Sequence, residues 1–260
     1  MNHGIMAADL MLFAVYGFIT ILSISVGYHR LFSHRAFKAH PVLEALLLFF
    51  GAASVQQSAL KWSAQHRMHH KYTDTDADPY NIKQGFWHAH MGWIYLWKTP
   101  FERNVVQDLN KFPLVAHQHQ YFQAWVIIAG FLTPLFIGWL YGSILGAYLF
   151  GIALRITVVH HATFCINSFA HMFGSRHFDP YSTARDSWVG AILTNGEGYH
   201  NYHHRFPSDY RNGVKWYHWD PAKWLIKSLS YLGVTSALNT PSARDIQQAI
   251  KETAEIQHAA

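Results

Sequence analysis

Cysteine is almost missing from this chain of 260 residues, in which Cys165 is the only one. A single thiol excludes a disulfide within the chain. It also excludes iron–sulfur and rubredoxin-like sites, which need several cysteine ligands. Any metal ion in this protein must therefore be bound by histidine, aspartate or glutamate.

Charge is scarce as well. Charged residues make up 13% of the chain, about half the ~25% of ordinary soluble domains, whereas 50% of the residues are hydrophobic. This balance is typical of a membrane protein. The formal net charge of +5 is not gathered into a run of lysine and arginine, so it favours a basic face beside a membrane, with no nucleic-acid partner.

Long apolar runs are present in the number that a small membrane protein needs. Residues 5–27, 121–141 and 143–169 can each cross a bilayer, which takes roughly 20 helical residues. A turn at Gly142 joins the last two. Residues 41–60 are also apolar, but Glu44, Gln56 and Gln57 interrupt them.

Histidine is plentiful and clustered. Residues three and four apart share a helix face, and the segments QHRMHHK and GYHNYHHRFPSD both carry three histidines at that spacing. A third segment, HRLFSH, has two histidines five apart. The candidate ligands in these segments are His66, His69, His70, His200, His203, His204, His29 and His34.

A ninth candidate lies where the last apolar run ends. His171 follows Asn167 by four residues, on the same helix face. Nine imidazoles exceed the four ligands of a zinc ion, so two ions with four or five ligands each are expected. Because zinc has no redox chemistry, iron and the oxidation of a lipid are favoured. His160 and His161, deeper in the same run, are interpreted as hydrogen-bonded packing residues.

The histidine clusters restrict the topology, because groups that share one centre must lie on one side of the membrane. Residues 41–60 cannot cross and return, so we interpret them as an interfacial or partly re-entrant helix. Of the 20 lysines and arginines, 19 fall on the histidine side and Arg155 lies inside a span. The positive-inside tendency then predicts three crossings, a cytoplasmic centre and an N-terminus outside.

The expected fold is an all-α integral membrane protein with about three transmembrane helices and an interfacial helix. A helical cytoplasmic cap, residues 61–120 and 172–260, would hold the histidines, and residues 1–260 would form a single domain. Thr240 and Pro241 predict the start of the last helix, with threonine as its cap. A bacterial inner membrane is the expected location.

Four motifs resemble those of the membrane fatty-acid desaturases. The resemblance is greatest to the stearoyl-CoA (delta-9) branch of the acyl-CoA desaturases, and the expected type is bacterial. The motifs are HRLFSH at 29–34, QHRMHHKYTDTDADPYN at 65–81, HATFCINSFAHMFG at 161–174 and GEGYHNYHHRFPSDYRNG at 196–213. The resemblance implies a non-haem centre of two iron ions on nine histidines. These are His29, His34, His66, His69, His70, His171, His200, His203 and His204. Asn167 matches the residue that holds an iron-bound water.

The resemblance also implies the reaction. Two hydrogens would leave adjacent methylenes of a long-chain acyl thioester, with O₂ and two external electrons consumed and a cis double bond formed. Gln56, Trp62 and Thr163 match the residues that bend the substrate tunnel, which makes delta-9 the expected position. The carboxylates nearest to the ligands in sequence can orient the imidazole rings or be solvated or capping groups. They are Glu197, Asp76, Asp78 and Asp209.

The partners are only partly defined. The animal enzymes carry an Arg-Asp pair against the CoA headgroup, where this chain has Ala64-Gln65, so the carrier stays open between CoA, an acyl carrier protein and a lipid. The electrons must come from a separate ferredoxin or cytochrome with its reductase. The cations expected on its docking face are Arg67, Lys71, Lys83, Arg205, Arg211 and Lys215.

Two other functions compete with this interpretation. A di-iron fatty-acid or alkane hydroxylase uses similar histidine clusters but inserts oxygen. A non-enzymatic, histidine-rich metal transporter would place its ligands along a path within its spans, whereas here they lie outside the apolar runs or at their ends.

Overall fold

The computed structural model describes residues 4–96 and 103–259, so part of the predicted cap segment 61–120 lies outside the described residues. Three helices are long and apolar enough to cross a membrane. They are α1 (Ala7–Ser33), α5 (Phe122–Leu140) and α6 (Ile144–His171). This confirms the all-α fold with three candidate spans. Gly142, with a φ of +79°, forms the turn between the last two.

The remaining elements are short. The other helices are α2 (Pro41–Ala52), α3 (Ala59–Tyr72), α4 (Pro113–Gln120), α7 (Trp188–Leu193), α8 (His200–Arg205), α9 (Pro221–Tyr231) and α10 (Ala243–Ala259). Single helical turns lie at Ile82–Gln84, His88–Gly92, Trp93–Leu96, Arg103–Val106 and Leu109–Lys111. Two strands, β1 (Lys38–Ala39) and β2 (Thr235–Ser236), pair antiparallel with Lys38 opposite Ser236.

The first span runs to Ser33, six residues past its predicted end at residue 27. Its last ten residues, Ile24–Ser33, are π-helical and all buried. His29 and Arg30 do not end the helix, because the cap surrounds them and supplies polar partners. Their burial therefore extends the helix beyond the apolar run that was visible in the sequence.

The segment 41–60 is not one helix. Helix α2 ends at Ala52, and α3 begins at Ala59, where the Ser58 hydroxyl accepts a hydrogen bond from the Lys61 amide at 3.3 Å. The 12 residues of α2 rise about 18 Å, roughly half of a bilayer core. Beyond its end, the Ala53 carbonyl accepts a hydrogen bond from Arg155 in the middle of α6. Helix α2 is therefore too short to cross a bilayer core, and its predicted end at residue 60 was wrong.

The cap is packed on the inner end of α1. One apolar cluster joins α1, α2, α3 and α9 and includes Tyr28, Phe32, Leu48 and Ile226. The predicted start of the last helix at Thr240-Pro241 was wrong. Ser242 caps α10 instead, because its hydroxyl accepts from the Asp245 amide at 3.1 Å while the Asp245 carboxylate accepts from the Ser242 amide at 3.2 Å.

Candidate metal centre

The nine candidate histidines converge into two groups. Within each group, the ring nitrogens that face one another all lie within 4.8 Å. The five-histidine group contains His29, His34, His66, His70 and His203, and the four-histidine group contains His69, His171, His200 and His204. The sequence did not indicate this division, although it did predict that nine ligands would serve two ions.

Helices α3 and α8 each supply ligands to both groups. On α3, the i, i+4 pair His66 and His70 enters the five-histidine group while His69 turns to the other. On α8 the i, i+4 pair belongs to the four-histidine group, and His203 alone enters the five-histidine group. Residues four apart point almost the same way and the residue between them diverges. Each helix therefore lies between the two groups.

The remaining ligands come from the ends of spans. The spacing of His29 and His34 matches the π-helical end of α1, where the His34 amide donates to the His29 carbonyl five residues before it at 3.1 Å. This turn brings their ring centroids to 4.9 Å. His171 is the last residue of α6, and its Nε2 lies 3.0 Å from that of His200.

The ring nitrogens are placed as ligands of a bound cation would be. The Nδ1 atom of His69 lies 2.8 Å from an Asp78 carboxylate oxygen, and that of His171 lies 2.8 Å from the Thr183 hydroxyl. These contacts hold the ring proton on Nδ1, which leaves a lone pair on Nε2. Facing Nε2 atoms are only 2.8 Å apart between His34 and His66 and 3.0 Å apart between His29 and His203.

Where both facing nitrogens carry lone pairs, a metal ion between them would remove their repulsion. Two nitrogens at right angles about one ion, each ~2.1 Å from it, would stand about 3.0 Å apart. Burial lowers the pKa of the ligand histidines in the cap well below the ordinary imidazole value, and neighbouring rings lower it further. This holds for His66, His70, His200, His203 and His204. The rings are therefore neutral, which is the form that binds metal, and the donor set fits two ions.

Two of the four candidate carboxylates contact a ligand ring. Glu197 Oε2 lies 2.9 Å from His29 Nδ1, and Asp78 Oδ1 lies 2.8 Å from His69 Nδ1. Burial alone would raise the pKa of Glu197, but His29 and Arg30 outweigh it and hold that pKa below its usual range. Glu197 is therefore ionised beside the five-histidine group.

The other two carboxylates lie elsewhere. Asp209 accepts a hydrogen bond from the Tyr202 hydroxyl at 2.5 Å and pairs with Arg211 at 2.8 Å. Asp76 is exposed. Within the described part of the chain, neither is recorded against a ligand ring. Closeness in sequence does not bring Asp76 to the site, because the tight turn after α3 directs Asp78 inward.

Three residues at the site were missed. The buried Arg30 guanidinium lies 3.0 Å from Glu197 and 2.9 Å from Asp220, so it joins the five-histidine group to the cap. The Thr183 hydroxyl accepts a hydrogen bond from His171 Nδ1 and donates one to the Asp74 carboxylate. The sequence could have indicated Arg30 as a site residue, since a charged residue directly follows a candidate ligand at the end of an apolar run. Thr183 and Asp74 had none, because 109 residues separate them.

Helix α8 has only six residues and would not be stable alone. Its first turn is capped by Asp186, whose carboxylate accepts from the amides of Asn201 at 2.8 Å and Tyr202 at 3.1 Å. Burial raises the pKa of Asp186 to about 7, although these hydrogen bonds lower it. The Asn201 side chain binds a loop by accepting from three successive amides, at residues 177, 178 and 179.

The three candidate tunnel residues form one hydrogen-bonded unit. The Gln56 amide donates to the Thr163 hydroxyl at 2.8 Å, and the Trp62 indole donates to the Gln56 carbonyl oxygen at 3.1 Å. Trp62 also stacks on His66, with ring centroids 5.0 Å apart. The unit therefore joins the segment between α2 and α3 to α3 and α6, beside the five-histidine group.

Two cavities meet at this unit. Both are lined by Trp62, His66, Thr163 and Asn167. One continues between α1 and α6 along apolar residues such as Ile24 and Ile166. The other continues past Val55, Gln56, Gln57, Gln65, Trp93 and Ile94. Both cavities therefore lie against His66 and Asn167, one with a mostly apolar lining and the other with a polar and aromatic lining.

Comparison with known proteins agrees with this arrangement. A family model described as fatty acid desaturase matches residues 7–235. The chain is 48% identical over 232 residues to a probable acyl-CoA desaturase of Schizosaccharomyces pombe, covering 88% of this chain and 48% of that protein. It is 41% identical over 246 residues to acyl-CoA desaturase 1 of Saccharomyces cerevisiae, covering 93% and 48%.

A mammalian protein is matched over more of its length. Stearoyl-CoA desaturase 5 of Bos taurus is 35% identical over 237 residues, which cover 87% of this chain and 70% of the bovine protein. The chain spans about half the length of the two yeast relatives. With the family model matching most of its residues, the chain belongs to the fatty acid desaturase family.

Proposed function

We propose that this protein is an O₂-dependent acyl desaturase that forms a cis double bond in a long-chain acyl thioester. One observation carries the proposal: two groups of buried histidines adjoin each other, and His29 and His66 of the five-histidine group line a mostly apolar cavity between α1 and α6. An acyl chain in that cavity would pass within contact distance of the rings. The names of the relatives support acyl-CoA as the substrate.

Two iron ions are the proposed cofactors, one for each histidine group. Bound iron would supply, with O₂ and two electrons, the oxidising power to break an unactivated C–H bond. Asn167 lines both cavities and is the proposed holder of an iron-bound water. Asp78 and Glu197 would keep their rings oriented, which is the usual work of groups behind metal ligands.

The cavity itself would select the bond. The apolar end between α1 and α6 would take the methyl end of the chain. The unit of Gln56, Trp62 and Thr163 would hold a bend, which suits the cis product. Holding one methylene pair beside the centre and excluding water is the positioning role of an enzyme site. We propose the delta-9 position because these three residues match those of the stearoyl-CoA (delta-9) desaturases.

The thioester end would lie near Gln57 and Gln65, whose side chains are hydrogen-bonded at 2.9 Å. Electrons would arrive from a separate ferredoxin or cytochrome with its reductase. Two of the expected docking cations are already paired inside the cap, Arg67 with Asp108 and Arg211 with Asp209. Lys83 and Lys215 are exposed, so they would contribute more than the paired arginines to binding an acidic electron donor.

Residues 1–260 are proposed to work as one desaturase domain, since the β1–β2 pair and the ion pair of Arg30 with Asp220 connect its first and last thirds. The proposed location is a membrane, with the centre on the cytoplasmic side; in a bacterial cell this is the inner membrane. Nineteen of the 20 lysines and arginines lie outside the spans or at the inner end of α1 in this orientation.

The test is reconstitution of the purified protein with ferrous iron, O₂, a ferredoxin or cytochrome reductase chain and stearoyl-CoA. We expect a product two mass units lighter, with a cis double bond at carbon 9. Protein that receives no electron donor is the control and should form no product. A product that is 16 mass units heavier would make the protein a hydroxylase instead. Iron-loaded protein that forms neither product from CoA, carrier-protein or lipid substrates would contradict the proposal.

A further inference from the structure

Arg155 is completely buried in the middle of α6. Its guanidinium donates to three backbone carbonyls, those of Ala53 at 2.5 Å, Gly151 at 2.6 Å and Gly130 at 2.9 Å. It also lies over the ring of Tyr16, 5.1 Å from the ring centre. No carboxylate is recorded against it in residues 4–96 and 103–259. A charge at this depth is costly and calls for a specific role.

The role follows from the helix whose end it touches. Helix α2 stops beside the middle of α6, and the turn that ends it pairs the Gly51 and Ala52 carbonyls with the Ser54 and Val55 amides. The carbonyls that need donors from elsewhere are those of the residues that follow the helix. The segment 53–58 that follows is irregular, and irregular backbone at membrane depth must be satisfied by protein. Arg155 binds the first carbonyl of this segment. His160, five residues later on α6, donates to the next one, Ser54, at 2.7 Å.

The next residue of the segment is strained. Val55 has a φ of +58°, in the left-handed region that a β-branched side chain rarely adopts. Such a conformation persists only where the surroundings hold the backbone on both sides. The carbonyls bound by Arg155 and His160 immediately precede Val55. The hydrogen bonds of Gln56 to Thr163 and Trp62 immediately follow it.

We propose that Arg155 and His160 are positioning residues that hold segment 53–58, and through it Gln56, at one place along the substrate path. They would thereby set which methylene pair lies beside the histidine groups. This inference rests on the proposed desaturase function for its consequence, the position of the double bond. The holding of the segment itself needs no turnover and is tested separately.

The variants are Arg155→Lys, whose compact ammonium lacks the spread, planar donors with which the guanidinium reaches three separate carbonyls, and His160→Leu, which removes one hydrogen bond at a half-buried site. Tyr16→Phe is the matched control. It removes a buried hydrogen bond to the Ala129 carbonyl of 2.6 Å in the same part of the bundle and keeps the ring that lies against Arg155. Gln56→Ala is the reference variant, because it removes the side chain that is proposed to hold the bend of the bound acyl chain. If Arg155→Lys does not fold, His160→Leu still tests whether the segment is held in place.

The first readout is hydrogen exchange of amides 54–58 in the purified iron-loaded protein. We expect exchange about tenfold faster in both variants, as the loss of one buried hydrogen bond implies, and unchanged in Tyr16→Phe. Unchanged exchange in a folded variant would overturn the holding role, whether or not the wild type proves to be a desaturase.

The second readout is the double-bond position in the product, with bound iron measured alongside. We expect Arg155→Lys, His160→Leu and the reference Gln56→Ala all to form a mixture of neighbouring isomers, with iron content unchanged. Tyr16→Phe should keep the single isomer of the wild type. Faster exchange with an unaltered isomer would refute the link to bond position. A wild type with no unsaturated product would refute the proposed function and leave the exchange result standing.

Discussion

His171 and Asp74 do not touch, yet one hydroxyl couples them. Thr183 Oγ1 accepts the Nδ1 proton of His171 at 2.8 Å and donates its own proton to Asp74 at 2.5 Å. Through these two hydrogen bonds the Asp74 carboxylate polarises the His171 ring and increases the electron density on Nε2, the nitrogen that faces the four-histidine group. In the same group, Asp78 reaches His69 directly.

The first prediction concerns this hydroxyl. Thr183→Val should weaken metal binding at the four-histidine group by about 10- to 100-fold, since residues behind metal ligands typically have that effect. Thr183→Ser keeps the hydroxyl and should bind as the wild type does. Iron titration of both variants measures the effect. Equal affinity in valine and serine variants would show that the hydroxyl does not support His171.

The second prediction distinguishes the two groups. His203→Ala should lower the iron content through the five-histidine group, and His69→Ala through the four-histidine group, with loss of turnover in both. Elemental analysis of the purified variants measures the iron. His258→Ala removes an exposed histidine of α10 and serves as the control, with two ions per chain expected. Full iron content in His203→Ala or His69→Ala would remove that residue from the ligand set.

The third prediction concerns the buried arginine of the first histidine segment. Arg30→Met leaves the Glu197 and Asp220 carboxylates buried without their cation, which should lower the free energy of unfolding by about 3–5 kcal/mol. Arg205→Met breaks an exposed pair with Glu252 and should cost less than about 1 kcal/mol. Thermal unfolding in detergent compares the two. A similar small loss in both would mean that water reaches the Arg30 site.

The fourth prediction concerns pH. The pKa of Asp186 is about 7 in the folded protein and 3.8 as its ordinary value, because burial disfavours the charge. The folded state then binds the proton more tightly, so this group's contribution to stability is present at low pH and is lost as pH rises from about 4 to 7. Asp186→Asn keeps an oxygen acceptor at the cap and should lack this loss.

The measurement for Asp186 is the unfolding midpoint of metal-free wild type and variant across pH 4 to 8. The difference between them should change steadily up to about pH 7, with the variant gaining relative to the wild type, and then level off. A constant difference would mean that Asp186 is ionised throughout and that its hydrogen bonds to α8 offset the burial.

The sequence predicted the features that depend on local patterns. Three spans follow from the length of apolar runs, and the face shared by His66 and His70 follows from helix periodicity. The end of α2 at Ala52 was not predictable in this way, because Arg155, which binds the first carbonyl after the helix, that of Ala53, comes more than 100 residues later. Asp74 was missed for the same reason, since its route to His171 passes through Thr183, which is distant in sequence.

Helices α3 and α8 each contribute to both histidine groups, and this has a consequence for assembly of the centre. The first ion to bind would immobilise side chains on both helices, so the second would meet ligands whose conformational entropy is already lost. Loading would then be cooperative. A preparation short of iron would contain molecules with two ions and molecules with none, and few with one.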